Sequence, residues 1–413
     1  MHTAAANSPS TQQRALALLR RGPFARYISG EAISMLGTWM QQMAQGWVMA
    51  SLTTSAFALG LVNFASGLPM LALTMYGGVL ADRLDKRIII ITCLIAQSLL
   101  ALAIGWLVGS GQIAIWHVVA AGIGLGIVTA FEMPAASALV PELVAKEDIS
   151  PAIAVDRSVF HATRLAGPAL GGWIIGAFGT SVAFYINALS FSALIIALLT
   201  IKPRRLEPSA EADRKTGMKE GLAYVRGDRP TMAMIALLAL STLFISPFFM
   251  IMMPLYSMHV LKLGPAQHGI LMGSSGIGAL VGSIALLSIA GVHRLGWLRV
   301  AVGVVSLAMA GLSFAEGLPV AMVSMIVLTL GTSTIFGLSN TIVQERAPDG
   351  MRGRVSAIAA MAFFGVLPFA GLATSKFADL VGLRTALRTA CICYGVLGLM
   401  LLARKVKPPR RDE

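Results

Sequence analysis

The chain has 413 residues, of which 56% are hydrophobic and only 12% are charged, and it carries a formal net charge of +13. Soluble domains are usually about 45 to 50% apolar, so this composition, with a mean hydropathy of +0.77, excludes a soluble protein and predicts an all-α polytopic membrane protein. Nucleic-acid binding is not expected, because the basic residues lie at the ends of apolar runs rather than on one soluble face. The three cysteines fall inside those runs without the spacing of a disulfide framework or a zinc site. We therefore expect neither a metal nor a cofactor.

Twelve apolar runs have about the 20 residues or more that a bilayer requires. They cover residues 24–50, 55–81, 88–108, 115–140, 152–178, 181–201, 231–258, 267–291, 298–316, 318–345, 355–378 and 383–403. We predict twelve transmembrane helices in two six-helix bundles, residues 24–201 and 231–404. Pro168 in the fifth run recurs as Pro368 in the eleventh, each with a glycine three residues later, which indicates that one bundle duplicates the other.

The polar segments between the runs predict the orientation of the chain. Lysine and arginine number 32. Four of them lie well inside the runs, and with an even number of helices the rest, in tails, loops and run ends, fall on one side except Lys262 and Arg384. Basic loops favour the cytosolic side. Both terminal tails, residues 1–23 and 405–413, are therefore expected in the cytosol.

Residues 202–230 form the longest polar interruption and are interpreted as a cytosolic linker between the bundles. Within them Met218, Leu222 and Val225 recur at helical spacing, with charged residues elsewhere around the helix. This pattern predicts an amphipathic helix on the membrane surface. A disordered tether is the alternative.

The first apolar run carries a polar stripe along one helix face. Its members, at three- and four-residue spacing, are Glu31, Ser34, Thr38, Gln41 and Gln45. Such a stripe indicates either the lining of a water-filled cavity or hydrogen bonding between helices. Trp39 and Trp47 flank it and could stack on a flat ligand or pack against other helices. The candidates for the substrate cavity here are Thr38, Trp39, Gln41 and Gln45.

The fifth run has a basic face formed by Arg157, His161 and Arg164. Charges at this depth need a partner or water, and Glu132 in the fourth run is the nearest acid by depth. Our hypothesis is that Glu132 or Glu31 exchanges protons as the cavity opens to either side. A permanent ion pair that holds helices together is the alternative.

The seventh run concentrates methionine and phenylalanine between two prolines, including Phe248, Phe249 and Met252. Methionine adapts to varied apolar shapes, so these residues are candidates for a substrate wall, with lipid contact as the alternative. The glycine-rich run at 273–278 superficially matches a dinucleotide-binding turn, but it lies inside a predicted span without the preceding strand. Close helix packing explains it better. No Walker loop is present, and we expect no enzyme activity.

Residues 77–87, GGVLADRLDKR, place two acids and three cations between the second and third runs. Each such charge costs roughly 2.5 to 3.5 kcal/mol at the centre of a span, so this turn must lie in water. Its Gly78, Asp82, Arg83 and Arg87 resemble the signature that major facilitator superfamily transporters carry at this place.

Further segments extend the resemblance over nearly the whole chain, toward the branch that contains the bacterial enterobactin exporter and macrolide efflux proteins. They are Gly37–Gln41, Ser55–Leu61, Phe131–Pro134, Leu139–Val144, Gly167–Gly172, Asn187–Phe191, Glu220–Arg226 and Arg352–Arg354. The resemblance implies the major facilitator fold and alternating access to a site between the bundles.

The resemblance also implies two groups of functional residues. A cytosolic gate would comprise Gly78, Asp82, Arg83, Arg87, Glu142, Arg352 and Arg354. Within it the acid Asp82 would lie at the amino end of helix eleven, where the helix dipole favours an anion. An antiporter-type motif of the fifth helix would comprise Gly167, Pro168, Gly171 and Gly172.

These expectations together describe a secondary active exporter of the bacterial plasma membrane that exchanges protons for an amphipathic drug or siderophore. An importer or a lysophospholipid-type lipid carrier on the same fold is the alternative. The expected partners are the small-molecule substrate, protons and membrane lipid, without nucleic acid, and a monomer is compatible with the sequence. The proton-coupling candidates are Glu31, Glu132, His161 and Arg164.

Overall fold

A computed structural model describes residues 11–20, 22–202, 217–289 and 293–403. The predicted tail 405–413 and much of the predicted linker, residues 203–216, lie outside the described residues. In the described part, ten helical segments are long and apolar enough to cross a membrane. This confirms an all-helical polytopic chain, whereas the number twelve and the cytosolic termini stay predictions.

The helices of the first half are α1 (Thr11–Leu18), α2 (Pro23–Leu52), α3 (Ala56–Arg83), α4 (Lys86–Gly109), α5 (Ile115–Leu139), α6 (Ile149–Phe178) and α7 (Thr180–Thr200). Those of the second half are α8 (Gly217–Gly227), α9 (Arg229–Phe244), α10 (Met253–Leu255), α11 (Pro265–Ala285), α12 (Arg294–Phe314), α13 (Leu318–Arg346), α14 (Arg352–Phe364), α15 (Leu367–Val381) and α16 (Leu383–Ala403). Two π-helical turns, Phe248–Met252 and Tyr256–Val260, flank α10, so that Arg229–Val260 forms one apolar span.

The thirty-residue helices α2 and α6 are less apolar than the ten candidate spans, because α2 contains Glu31 and α6 contains Asp156, Arg157 and Arg164. Both nevertheless pack beside those spans: α2 against α6 and α7, and α6 also against α11. Their polar residues are therefore placed within a bundle of helices rather than in a separate domain.

Local sequence explains where several helices begin and end. The side chains of Asp85 and Asp228 accept hydrogen bonds from backbone N–H groups in the first turns of α4 and α9, as N-cap residues do. Gly179 and Gly382 have φ angles of +90° and +85°, a conformation that glycine adopts without steric cost. They separate α6 from α7 and α15 from α16, at matching places in the two halves.

Some prolines lie inside continuous helices and others lie beside helix breaks. Pro69, Pro134 and Pro168 lie inside continuous helices α3, α5 and α6. Pro368, by contrast, follows the break between α14 and α15, and Pro247 precedes the first π-helical turn. Proline lacks a backbone N–H donor and can break a helix. Of the prolines named here, the two beside helix breaks belong to the second half.

The two halves pack separately and meet along two seams. The main seams join α3 to α15 and α6 to α11, and α10 also contacts α2. We call the end where α2 meets α3 the far end, and the end where α3 meets α4 the linker end. The far end is the side predicted to face away from the cytosol.

Helix α8 overlaps the amphipathic segment predicted from the sequence and packs against the second half at the linker end. Tyr224 Oη donates a 2.6 Å hydrogen bond to the backbone oxygen of Arg346, and Gly221 lies against the side chain of Arg354. Val225 is buried. The apolar face of this helix is thus covered in part by protein.

Candidate functional site

Three acids of the first half lie near one another in the spanning region. The Glu31 side chain accepts a hydrogen bond from Tyr27, and the charges of Glu132 and Asp156 act on it. Tyr27 is buried, whereas Glu31, Glu132 and Asp156 are half-buried. Together these residues form an acid cluster, which the sequence suggested only for Glu31 and Glu132.

The expected pairing of Glu132 with the basic face of α6 is wrong in this conformation. Glu132 instead accepts a hydrogen bond from the side-chain amide of Gln97 on α4. The physical reason is that α5 packs against α3 and α4 rather than against α6, so that Glu132 and Arg164 lie on helices that are not neighbours. The depth of each residue in the membrane, estimated from the sequence, could not show whether Glu132 bonds Gln97 or Arg164.

Arg164 lies between aromatic rings from both halves. Its guanidinium carbon is 5.5 Å from the ring centroid of Trp39 on α2 and 5.9 Å from that of Phe249 in the first π-helical turn. Such contacts are cation–π interactions. His161 and Arg157, one and two turns toward the linker end, are exposed. The basic face predicted on helix five therefore leads from the linker end to this aromatic pair.

Several residues predicted to line the cavity are buried in helix packing instead. Gln41 accepts a 2.7 Å hydrogen bond from Asn187 on α7, so for this residue the interhelical alternative holds. Phe248 and Met252 are also buried. Phe249 is the half-buried member of that group.

Of the other members of the polar stripe, Ser34 is buried, whereas Glu31, Thr38 and Gln45 are half-buried. Thr38 Oγ1 donates a 3.0 Å hydrogen bond to the backbone oxygen of Ser34 in the same helix. Gln45 and Trp39 are partly exposed, and Trp39 also contacts Phe160 edge to face.

The glycines of the antiporter-type motif allow close approach to two different helices. Added Cβ atoms on Gly167 and Gly171 would contact Trp39 and Met40 on α2, at 3.0 Å for Gly171. A Cβ on Gly172 would lie 2.8 Å from the Cα of Gly269 on α11. The backbone oxygen of Pro168 would lie 2.6 Å from a Cβ on Gly269. The glycines of the motif thus allow close packing both within the first half and at its seam with the second half.

The residues of the predicted cytosolic gate bind partners within their own halves in this conformation. Lys86 and Glu142 form an ion pair of 2.7 Å, and Arg87 bonds the backbone oxygen of Ile201 at 2.5 Å. In the second half, Arg354 pairs with Glu220 of α8 at 2.6 Å.

The other gate residues lie at the surface of the linker end. Asp82, Arg83 and Arg352 are exposed, and Arg352 Nε donates a hydrogen bond to the backbone oxygen of Gln344. A Cβ added to Gly78 would meet only open space. The ion network across the halves therefore stays a prediction for a conformation in which the linker end is closed.

An acid that the sequence reasoning missed joins the halves at the far end. Asp379 on α15 accepts hydrogen bonds from the Ser55 hydroxyl at 2.5 Å, from Ala56 N at 2.6 Å and from Phe57 N at 3.2 Å, all at the start of α3. Lys376 lies 5.4 Å from the Phe57 ring. Asp379 is in the last turn of its own helix, where a negative charge is unfavourable. This unfavourable position of a negative charge was the signal in the sequence that Asp379 has a partner outside its own helix.

Two histidines complete the contacts at the far end. His259 Nε2 is 2.8 Å from the backbone oxygen of Ala50 on α2. His268 on α11 is buried, bonds Ser257 Oγ at 2.8 Å and lies 5.6 Å from the Trp47 ring. Trp47, which could have faced a ligand, therefore packs against the opposite half.

The fold and this arrangement define a class: a multi-pass membrane transporter built of two helical halves with polar residues at their interface. A family model described as transmembrane secretion effector matches residues 13–413. The chain belongs to that family of the major facilitator superfamily, which confirms the resemblance. It is a transporter and not an enzyme.

Curated relatives match the chain over most of its length at low identity. The multidrug efflux pump Tap of Mycolicibacterium fortuitum is 24% identical over 92% of this chain and 96% of its own. Macrolide efflux protein A of Streptococcus pyogenes is 24% identical over 86% and 89%. The staphyloferrin A transporter of Staphylococcus aureus is 26% identical over 48% of this chain and 51% of its own.

Solved structures share the fold. A bacterial homologue of the human lysosomal transporter Spinster superposes with a TM-score of 0.70 at 15% identity, covering 96% of this chain and 97% of that one. A bacterial homologue of the iron transporter ferroportin gives a TM-score of 0.66 at 16% identity over 92% and 99%. At such identities these structures establish the architecture alone.

Proposed function

We propose that this protein is a secondary active exporter of the bacterial plasma membrane. It moves an amphipathic small molecule, a drug or a siderophore, from the cytosol in exchange for protons. Two bundles of six spanning helices, with both termini in the cytosol, rock about the central interface and expose the site to one side at a time.

The observation that carries this proposal is the one-sided closure of both seams. On the seam of α3 with α15, close contacts run from Ser55 and Asp379 at the far end to Gly67 and Pro368. On the seam of α6 with α11, they run from Gly172 and Gly269 to Leu165 and Gly276. In each pair, the residue numbers rise along one helix as they fall along the other, so the two helices are antiparallel.

Nearer the linker end, these helices leave side chains exposed. His161 and Arg157 on α6 are exposed, as are Leu280 and Ile284 on α11. Two packed halves that are in contact toward one end can exchange this contact for one at the other end. We therefore propose that in this conformation the halves are apart toward the predicted cytosolic side.

The relatives support export and the class of substrate. The efflux pump Tap and macrolide efflux protein A are named for outward transport of drugs, and the staphyloferrin A transporter is named for a siderophore. We therefore assign outward transport of amphipathic organic molecules to this chain. The half-buried aromatic rings of Trp39 and Phe249 at the interface suit the apolar part of such a molecule.

The acid cluster supports coupling to protons. Close carboxylates in a half-buried site repel one another, and a proton on Glu31 or Glu132 relieves that repulsion. Tyr27 and Gln97 give these two acids neutral hydrogen-bond partners, so protonation leaves no cation unpaired. Such a cluster can load a proton on one side of the membrane and release it on the other.

Uptake into inside-out vesicles tests the proposal. With an acidic interior, a panel of dyes, macrolides and catecholate siderophores should include a compound that accumulates, and a protonophore should abolish the accumulation. Glu31→Gln and Glu132→Gln should each lose gradient-driven accumulation by about tenfold or more, whereas the exposed Glu147→Gln should match the native protein.

Gradient-driven transport that persists in the Glu31→Gln, Glu132→Gln double variant would refute coupling through the acid cluster. Absence of accumulation for every compound, with redistribution of a fluorescent lysophospholipid instead, would favour the lipid carrier.

A further inference from the structure

Arg164 is a spanning-region cation without an acid partner among the residues that the structure describes. Its described contacts are the rings of Trp39 and Phe249, and none of the described ion pairs includes it. Ionisable groups at such depth pair with one another or belong to a transport pathway. The guanidinium is therefore available to a partner that comes from outside the protein.

The acids that could neutralise Arg164 are engaged elsewhere. Glu31 is bonded by Tyr27, and Glu132 is bonded by Gln97. Asp156 lies next to Arg157, whose charge acts on it. The acid cluster and Arg164 thus occupy different places in the first half.

The position of Arg164 is that of a central binding site. The following residue, Leu165, contacts Gly276 at the inner end of the close seam contacts between α6 and α11. Trp39 belongs to the first half and Phe249 to the second, so the guanidinium lies between the halves.

The approach to this position is positively charged. Arg157 and His161 are exposed on the same face of α6, between Arg164 and the linker end. A row of cations raises the local concentration of anions along its path. The planar guanidinium at its end can hold a carboxylate through two parallel hydrogen bonds.

We infer that Arg164 binds a carboxylate of the transported molecule, whose flat or apolar body lies against Trp39 and Phe249. The substrate class is thus an amphipathic organic acid. This inference rests on the proposed export function and narrows it. It also gives Arg164 a role in substrate binding that is distinct from the proton coupling assigned to the acid cluster.

A matched pair of dyes tests this inference. Rhodamine B carries a free carboxylate, and its methyl ester has the same ring system without that charge. The purified full chain in nanodiscs should bind rhodamine B at least about tenfold more tightly than the ester, as expected for one charge-assisted contact. Arg164→Gln should abolish this preference. Arg164→Lys should keep a smaller preference, because lysine retains the charge but cannot make two parallel hydrogen bonds to a carboxylate.

Arg388→Gln is the matched control. Arg388 also stacks on an aromatic ring, 4.4 Å from the centroid of Phe314, but it lies on α16 and away from the interface of the halves. Its loss should leave the preference for the carboxylate unchanged, and monodisperse elution of each variant should show that it folds.

The two proposals fail in different ways. An equal preference in native protein and Arg164→Gln would overturn the inference while dye export continues. Tighter binding of the ester by the native protein would overturn it as well. Failure of the native protein to bind or export either dye would count against the inference and against export of such amphipathic molecules.

Discussion

Asp228 connects two helices at the linker end. It caps α9 by accepting hydrogen bonds from Thr231 N at 3.1 Å and Thr231 Oγ1 at 2.6 Å. It also binds the guanidinium of Arg346, at the end of α13, through two hydrogen bonds of 2.8 and 2.7 Å. The hydrogen-bonded Arg346 lowers the pKa of Asp228 to about 2.

This lowered pKa predicts a pH-dependent contribution to stability. Because the folded pKa lies below the ordinary value of 3.8, the contribution is fully present above about pH 4 and is lost as the pH falls through about 2. The shift corresponds to roughly 2 kcal/mol. Asp228→Asn should lower the melting temperature at pH 7, and the difference from the native protein should shrink as the pH approaches 3.

Thermal unfolding of the purified protein from pH 7 to pH 3 provides the measurement. The exposed Glu147→Gln should melt like the native protein throughout. A deficit of Asp228→Asn that is the same at pH 7 and pH 3 would mean that the lost charge is not its cause.

At the scale of elements, the seam between α6 and α11 depends on the absence of a side chain at Gly172. A Cβ there would lie 2.6 Å from the backbone oxygen of Pro265, whereas one on Gly176, a turn later, would meet nothing closer than 3.6 Å. Gly172→Ala should therefore prevent closure of the far end and reduce export by about tenfold or more. Gly176→Ala should export normally. Equal rates in the two variants, measured in vesicles at matched expression, would contradict this.

Ten spanning elements in the described residues could be predicted from the sequence, because hydropathy and length are local properties. The predicted run 88–108 corresponds to α4, Lys86–Gly109, and the run 318–345 corresponds to α13, Leu318–Arg346. The main discrepancy is α11, which ends at Ala285 rather than near residue 291, since apolar residues continue beyond the helix.

Partners between helices could not be predicted in the same way. The hydrogen bonds of Gln41 with Asn187 and of Glu132 with Gln97 depend on which helices are neighbours. Sequence periodicity gives the face of a helix but not what lies opposite. The aromatic surroundings of Arg164 were likewise beyond reach, because Phe249 comes from the other half.

At the scale of the whole molecule, α3 and α15 form a seam, and we expect the halves to make contact at either end of it. Its contacts pair Ser55 with Asp379 and Gly67 with Pro368. Continued in the same antiparallel register toward the linker end, the seam would bring Asp82 beside the first residues of α14. Asp379 at the start of α3 and Asp82 at the start of α14 would then stabilise opposite conformations, each as an anion at a helix N-terminus.

The central claim is that the two ends of the molecule open in alternation, and paired spin-label distances test it most directly. One pair, Thr54→Cys with Val381→Cys, reports the far end, and the other, Leu84→Cys with Gly350→Cys, reports the linker end. All four positions are exposed, and the three native cysteines are replaced. Asp379→Asn is introduced into both backgrounds, with the exposed far-end acid Glu316→Gln as control.

Asp379→Asn should lengthen the far-end distances and shorten the linker-end distances in the same sample, while Glu316→Gln leaves both as in the native protein. A far end that widens with no change at the linker end, or two ends that widen together, would contradict alternating access by these two halves.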